Sequence, residues 1–194
     1  MGVSRQQAAE NRSAIVAAAE RLFRARGVDA VGLTELMKEA GFTQGGFYNH
    51  FKSKDALVAA VMDKAMQDRA DSPNADSLAA QVASYLSAAH RDNVEAGCPL
   101  SGFAGDAPRL TDAARACYAH GLATYLDRLE RMVAIEGATP EQTRRDALAV
   151  FSQMVGALVL SRAIAGTDPA LADEILEAGR DTLIDGRDAP IAPA

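Results

Sequence analysis

The segment Leu33–Lys54, which reads LTELMKEAGFTQGGFYNHFKSK, constrains this chain more than any other stretch. Leu33, Leu36, Met37 and Ala40 recur at helical spacing. Gly41 follows where that helix stops, because glycine enters the left-handed region without strain. Thr43 stands where the next helix would be capped, and Ser53 caps a third with Lys54 in its first turn. Two short helices around a tight turn, with a third at once behind them, form a helix-turn-helix layout. Phe47 and Phe51 are four apart and face inward together. Gln44, Gly45, Tyr48, Asn49 and Lys52 then point away from that face, as a hydrogen-bonding and phosphate-seeking surface. Gly45 and Gly46 each cost about 1 kcal/mol in a helix relative to Ala, so a helix that keeps both suits close approach of its backbone to something bulky. A cation at Lys54 opposes the helix dipole unless an anion lies nearby. The plainer reading is a surface hairpin of helices with loose glycines.

Charge bears on that choice. The 194 residues carry a net charge of −6, which taken alone argues against a nucleic-acid partner. Residues 1–54 hold 8 Lys and Arg against 5 Asp and Glu, a net of +3. The remainder holds 12 against 21, a net of −9. A basic head on an acidic body fits a DNA-binding part joined to one that stays off the DNA. With 48% hydrophobic residues the chain supports a packed core. Two cysteines, Cys98 and Cys117, make no disulfide scaffold and imply a reducing cytoplasm. The stretch MGVSRQQ lacks the apolar run of a signal peptide. The apolar run Ala147–Leu160 is broken by Ser152, Gln153 and Gly156, and falls short of the roughly 20 residues that span a bilayer.

Helical periodicity runs nearly throughout, with no strand-like alternation of useful length. A first helix covers about Arg5–Arg26, with Ile15, Ala19, Leu22 and Phe23 inward. The helix from Ser53 shows paired apolar positions: Leu57, Val58, Val61, Met62, Ala65 and Met66. Turn chemistry over Asp71–Asp76 ends it. One helix is expected over Ser77–Val94, then a proline-initiated short helix after Gly97-Cys-Pro-Leu100. A long helix follows from Thr111. Thr139-Pro-Glu-Gln142 is a capping box with proline at the first helical position, and Asp168-Pro169 starts the last helix, to about Ile184. Residues 186–194 read as a loose tail.

The helix after Thr139 is apolar on more than one face. Leu148, Phe151, Val155, Leu158 and Val159 form one stripe, and Val150, Met154, Ala157 and Ile164 another. The last helix adds Leu171, Ile175, Leu176, Gly179 and Leu183. A helix wet on one side does not need both stripes. Either the two helices pair with those of a second copy, or the first of them is the core helix of one chain.

No catalytic constellation emerges. Gly102-Phe-Ala-Gly-Asp106 lacks the lysine and strand of a phosphate loop, and no serine sits in a nucleophile elbow. Cys117 and His120 are three apart on a helix, but two ligands do not make a metal site. An apolar set with a few hydroxyls comes from several helices: Met62, Met66, Tyr85, Leu86, Phe103, Tyr118, Leu122, Tyr125, Phe151 and Met154. It suits a small, mostly hydrophobic or aromatic effector, and equally a plain core. Cys98 precedes Pro99 at a helix start, where unpaired N–H groups and the dipole favour a thiolate. Its other reading is a small capping residue.

Arg12–Val61 resembles the DNA-binding domain of the TetR family of bacterial transcriptional regulators. The resemblance rests on RSAIVAAAERLFRARG (Arg12–Gly27) and AGFTQGGFYNHFKSKDAL (Ala40–Leu57), with the Tyr-x-His-Phe and Ser-Lys-x-x-Leu elements. It implies an all-α fold: a three-helix head over residues 1–54 and a helical ligand-binding and dimerisation body over 55–194, about nine helices in all. It implies Gln44 as a base contact, with Thr43, Gly45 and Asn49 beside it, and Thr34, Tyr48, His50 and Lys54 as phosphate contacts. Two helices of each subunit would form the dimer through Phe151, Val155, Leu158, Ile175, Leu176 and Leu183. The partners implied are a palindromic double-stranded operator, a second copy and a small-molecule effector, with no cofactor, no metal, no membrane and no enzymatic activity. Gly45 and Gly46 depart from members that carry side chains there. The Gly-Cys-Pro-Leu element resembles one in the NemR-like subset, some of which answer to electrophiles or oxidants through a cysteine. That places Cys98 with the effector residues. A repressor released by a hydrophobic, aromatic or thiol-reactive effector is the reading that follows. A ligand-binding or enzymatic helical dimer with a relic head is the alternative.

Overall fold

The computed structural model describes residues 4–72, 75 and 77–184. The expected break over Asp71–Asp76 falls partly outside those residues, and the expected tail wholly so. Among the described residues there are nine α-helices, two 3-10 turns and no strand. The helices are α1 (Arg5–Arg26), α2 (Leu33–Glu39), α3 (Lys54–Asp71), α4 (Leu78–Tyr85), α5 (Ala88–Asp92), α6 (Pro99–Gly102), α7 (Asp112–Val133), α8 (Pro140–Ile164) and α9 (Pro169–Ile184). The chain forms two compact units, one of residues 1–71 and 94–122, the other of 72–93 and 123–194. The division of roles expected at residue 54 does not coincide with this division of packing, since the first unit takes in α3 and a later segment.

In the first unit, α1 starts at Ser4, whose hydroxyl accepts from the Gln7 N–H at 3.1 Å. It ends at Gly27, whose φ of 84° only glycine adopts freely. Ile15, Ala19 and Phe23 are fully buried, and α1 packs on α2 and α3. Leu22, expected inward, is only half-buried. All six paired apolar residues of α3 are buried, as their spacing predicts. They need both faces because α3 packs on α1 and on α6. In α7, Gly121 lies against α3 so closely that an added Cβ would meet Met66 Sδ at 2.4 Å and its Cβ at 2.8 Å. A buried arginine binds the later segment to α1. Arg24 pairs with the Glu20 carboxylate and donates to the carbonyls of Gly97 at 2.7 Å and Glu95 at 3.2 Å. Burial lowers its pKa, and the Glu20 charge opposes that shift.

In the second unit the expected helix over 77–94 is two helices. Leu86 leaves helical geometry, and Ser87 caps α5 by accepting from the His90 N–H at 3.1 Å. The break strands backbone carbonyls, which need donors. Arg180 donates to Leu86 O at 2.5 Å, and Arg162 to the carbonyls of His90 at 2.7 Å and Arg91 at 3.0 Å. The capping box of α8 is formed. The Thr139 hydroxyl accepts from Gln142 N at 3.2 Å, and Gln142 Oε1 accepts from Thr139 N at 2.8 Å. Asp168 caps α9 by accepting from Leu171 N at 3.1 Å. Fully buried Ser161 donates to Ala172 O at 2.7 Å, so α8 is pinned to α9 by a satisfied polar group.

The faces of α8 differ from the two expected stripes. Ala147, Val150, Phe151, Met154, Leu158 and Ser161 point into the unit. Four of the residues expected at a dimer interface, Phe151, Leu158, Leu176 and Leu183, are therefore core of their own chain. Val155 and Ile175 are half-buried. The apolar surface left to a partner is one step round the helix, at Leu148, Val159 and Leu160, with Leu171 on α9. The reason is phase: residues 147, 150, 151, 154 and 158 share one helical face, and 148, 155 and 159 another. As a 25-residue helix, α8 is also long and apolar enough to cross a bilayer by length and composition, which the shorter run Ala147–Leu160 does not suggest.

Candidate nucleic-acid interface

The head places its surface by burying one side of a very short element. Gly41, with φ of 82°, turns the chain after α2. Gln44–Asn49 then form a 3-10 turn rather than an α-helix. Two adjacent glycines weaken α-helical hydrogen bonding, and six residues are too few to offset that. Thr43 occupies the cap position, but its side chain makes no capping hydrogen bond. Phe47 and Phe51 are buried and stacked at 5.7 Å, which anchors the turn. The Arg12 guanidinium covers the Phe51 ring at 4.7 Å, a contact no local pattern announces. Tyr48 packs edge-on to Phe47 at 5.3 Å and leaves 67% of its own surface in solvent.

This anchoring exposes the expected reading set. Thr34, Thr43, Gln44, Gly45, Tyr48 and Asn49 are exposed, as is Lys52, and His50 is half-buried. The Thr34 hydroxyl donates to Gln44 Oε1 at 2.8 Å, which joins α2 to the turn. Ser53 caps α3 by accepting from Ala56 N at 3.1 Å. Lys54 is half-buried, donates to Val28 O at 2.7 Å and lies 5.8 Å from the centre of the Phe23 ring. The protein therefore already satisfies part of this ammonium group, which offsets its poor position in the helix dipole. A Cβ at Gly45 would meet nothing within 4 Å, and one at Gly46 only ordinary contacts at 3.8 Å. The protein itself therefore does not demand either glycine.

The expected effector residues divide between the units. In the first, Met62, Met66, Cys98 and Phe103 are buried, and Tyr118 and Leu122 half-buried. The Tyr118 hydroxyl donates to Leu100 O at 2.6 Å, and burial pushes its pKa up to about 12. Cys98 occupies the N-cap position of the four-residue α6, where its side chain makes no capping hydrogen bond, and its carbonyl accepts from the Ser101 hydroxyl at 3.1 Å. Cys117 on α7 is half-buried. In the second unit Tyr85, Leu86, Tyr125, Phe151 and Met154 are buried. Phe151 sits 4.6 Å from the Tyr125 ring and 6.3 Å from the Tyr85 ring. A cleft lined by Gln81, Tyr125, Arg128, Leu129 and Met132 holds about 160 Å³ of empty space. That space includes open solvent, and only Tyr125 of the expected residues borders it. Among the described residues no group of three or more His, Cys, Asp or Glu is placed to hold a metal ion.

A polar, cation-edged turn on two buried aromatics, reached by a glycine turn from α2, defines an all-helical protein with an N-terminal helix-turn-helix. Residues 15–61 match the family described as bacterial regulatory proteins, tetR family. It is 42% identical over 60 residues to the HTH-type transcriptional regulator TtgR of Pseudomonas putida, 31% of this chain and 29% of that protein. It is 36% identical over 55 residues to the transcriptional repressor NemR of Escherichia coli, 28% of each. The matched region thus spans under a third of the length of these curated relatives. Beyond it the likeness is one of fold. A TetR transcriptional regulator from Chloroflexus aurantiacus aligns with a TM-score of 0.75 at 21% identity, covering 97% of this chain and 100% of that one. The reduced form of NemR aligns at 0.70 and 19%, covering 90% and 96%.

Proposed function

We propose that the chain is a DNA-binding transcriptional regulator acting as a homodimer on a palindromic operator, in the cytoplasm. The observation that carries this is the turn Gln44–Asn49. Its aromatic side is buried while Gln44, Tyr48 and Asn49 stay in solvent, within a region that matches the TetR family. Half-sites roughly one helical turn or somewhat more apart would receive the two heads. The second copy is supported by the apolar surface of Leu148, Val159, Leu160 and Leu171, which the chain leaves uncovered. The same uncovered face accounts for the apolarity of α8 without a bilayer. Repression is supported by the name of the relative NemR. Release by a small hydrophobic, aromatic or thiol-reactive effector is supported by the aromatic cluster around Phe151 and by Cys98 beside Pro99.

The test is fluorescence anisotropy with a duplex from upstream of the protein's own coding region and a scrambled duplex, across a salt series. The upstream duplex should bind more tightly. Lys54→Ala should weaken both alike and lower the salt slope by about one, while Gln44→Ala should relax the sequence preference. Equal binding of the two duplexes, unchanged by either variant, would overturn the reading.

A further inference from the structure

Thr34 and Gln44 are ten positions apart, and helical periodicity gives no reason to pair them. In the folded head the Thr34 hydroxyl donates to Gln44 Oε1 at 2.8 Å, and both side chains face solvent. A hydroxyl carries one proton, and phosphate oxygens only accept. While that proton serves Gln44 it cannot serve a phosphate, which is the role the family resemblance implies for Thr34. The Gln44 amide has an accepting end and a donating end. The Thr34 bond takes one of the two lone pairs of Oε1 and turns that end of the amide toward α2, and Gln44 Nε2 makes no bond among the described residues. Gly45, the next residue, brings no side chain to compete for the same base edge.

We propose that Thr34 is a positioning residue for sequence readout. It holds the Gln44 amide so that its NH2 group faces the operator, and the base that Gln44 reads therefore presents an acceptor edge. This rests on the DNA-binding reading above. In the major groove guanine offers N7 and O6, adenine N7 and thymine O4 as acceptors, whereas cytosine offers only its amino donor. Cytosine on the contacted strand is the base this arrangement rejects. Without the Thr34 bond the amide turns over freely and offers either end, so the rejection is lost. The bond also fixes a long side chain before DNA arrives, which lowers the ordering cost of contact.

The experiment selects duplexes from a randomised pool with the wild type, Gln44→Ala, Thr34→Val, Thr34→Ala and Thr34→Ser. Affinities are then measured for all four base pairs at each half-site position. At the position that Gln44→Ala flattens, the wild type should disfavour cytosine by about tenfold, the scale of one good base contact. Thr34→Val and Thr34→Ala should reduce that to about twofold, and Thr34→Ser should restore it. In Thr34→Val and Thr34→Ala the change should fall on the discrimination against cytosine rather than on all sequences alike, and thermal melts show whether each head is folded. Two independent replacements keep the result decisive if valine disturbs α2. Uniform weakening on every sequence would make Thr34 a phosphate contact and overturn the proposal, as would discrimination that survives both replacements. If Gln44→Ala flattens no position, the proposal falls while DNA binding stands. If the wild type selects nothing from the pool, the DNA-binding reading falls and takes this one with it.

Discussion

The head turns Gln44, Tyr48 and Asn49 to solvent, whereas α8 turns Leu148, Val159 and Leu160 there. Both elements bury one side on aromatic or aliphatic anchors, Phe47 and Phe51 in one case, Phe151 and Leu158 in the other. The inner sides follow one rule, since apolar surface leaves water in each. The outer sides follow the partner. A polar, flexible-ended surface suits a charged and wet ligand such as DNA. An apolar one suits another protein surface of the same kind. The outward residues, not the cores, therefore distinguish the two surfaces.

The largest effect expected from this contrast comes from neighbours on α8. Leu158 is fully buried and Leu160 is 60% exposed. Leu158→Glu places an unpaired charge in the core and should destabilise the second unit by about 3–5 kcal/mol, read as a lost or much lowered urea midpoint. Leu160→Glu should leave each chain folded by circular dichroism and give monomers in sedimentation. If Leu160→Glu remains a dimer at micromolar concentration, the outer apolar face is not an interface and the contrast fails.

Close backbone approaches sharpen the same comparison within the interiors. A Cβ at Gly121 would overlap Met66 at 2.4 to 2.8 Å, while one at Gly179 would meet Leu86 Cδ1 at 3.1 Å and Ala157 Cβ at 3.2 Å. Gly121→Ala should therefore cost about 1–3 kcal/mol, because the stem of Met66 as well as its tip is in the way. Gly179→Ala should cost less than about 1 kcal/mol, since a few tenths of an ångström suffice and alanine favours the helix. Chemical denaturation of the two variants decides the order, and a reversed order would show that α9 has less room to shift than α3.

These positions also mark how far the sequence was legible. The anchors Phe47 and Phe51, the turn at Gly41, the stripe of α3 and the caps at Thr139 and Asp168 are signalled by neighbours within four residues. The missed features depend on distant partners. The break at Leu86 persists because Arg162 and Arg180, 72 and 94 positions from the carbonyls they bond, satisfy what it exposes. Periodicity made α8 apolar on two sides but did not tell which side its own chain covers, because that depends on the packing of α4, α5 and α9. The 3-10 form of the turn Gln44–Asn49 reflects glycines whose cost shows only once the turn proves too short to absorb it. In the candidate site the residue types were legible, but the bonds Thr34–Gln44 and Lys54–Val28 were not.

The smallest effect expected is at two helix caps, one in each region. Ser53 accepts from Ala56 N at 3.1 Å to start α3, and Thr139 accepts from Gln142 N at 3.2 Å to start α8. Replacing either by alanine removes one acceptor from otherwise unpaired N–H groups and should cost about 1 kcal/mol. The thermal shift should thus be similar in both. Their effects on DNA should differ. Ser53 immediately precedes Lys54, whose ammonium is held on Val28 O at 2.7 Å, so fraying the start of α3 loosens a candidate phosphate contact. Ser53→Ala should weaken binding to operator and scrambled duplexes alike by about two- to fivefold, as partial loss of one contact predicts. Thr139→Ala should leave the affinity of the assembled dimer unchanged. Equal loss in both variants would mean that stability alone sets DNA affinity, and the outward surface of the head would then lose its claim to a separate role.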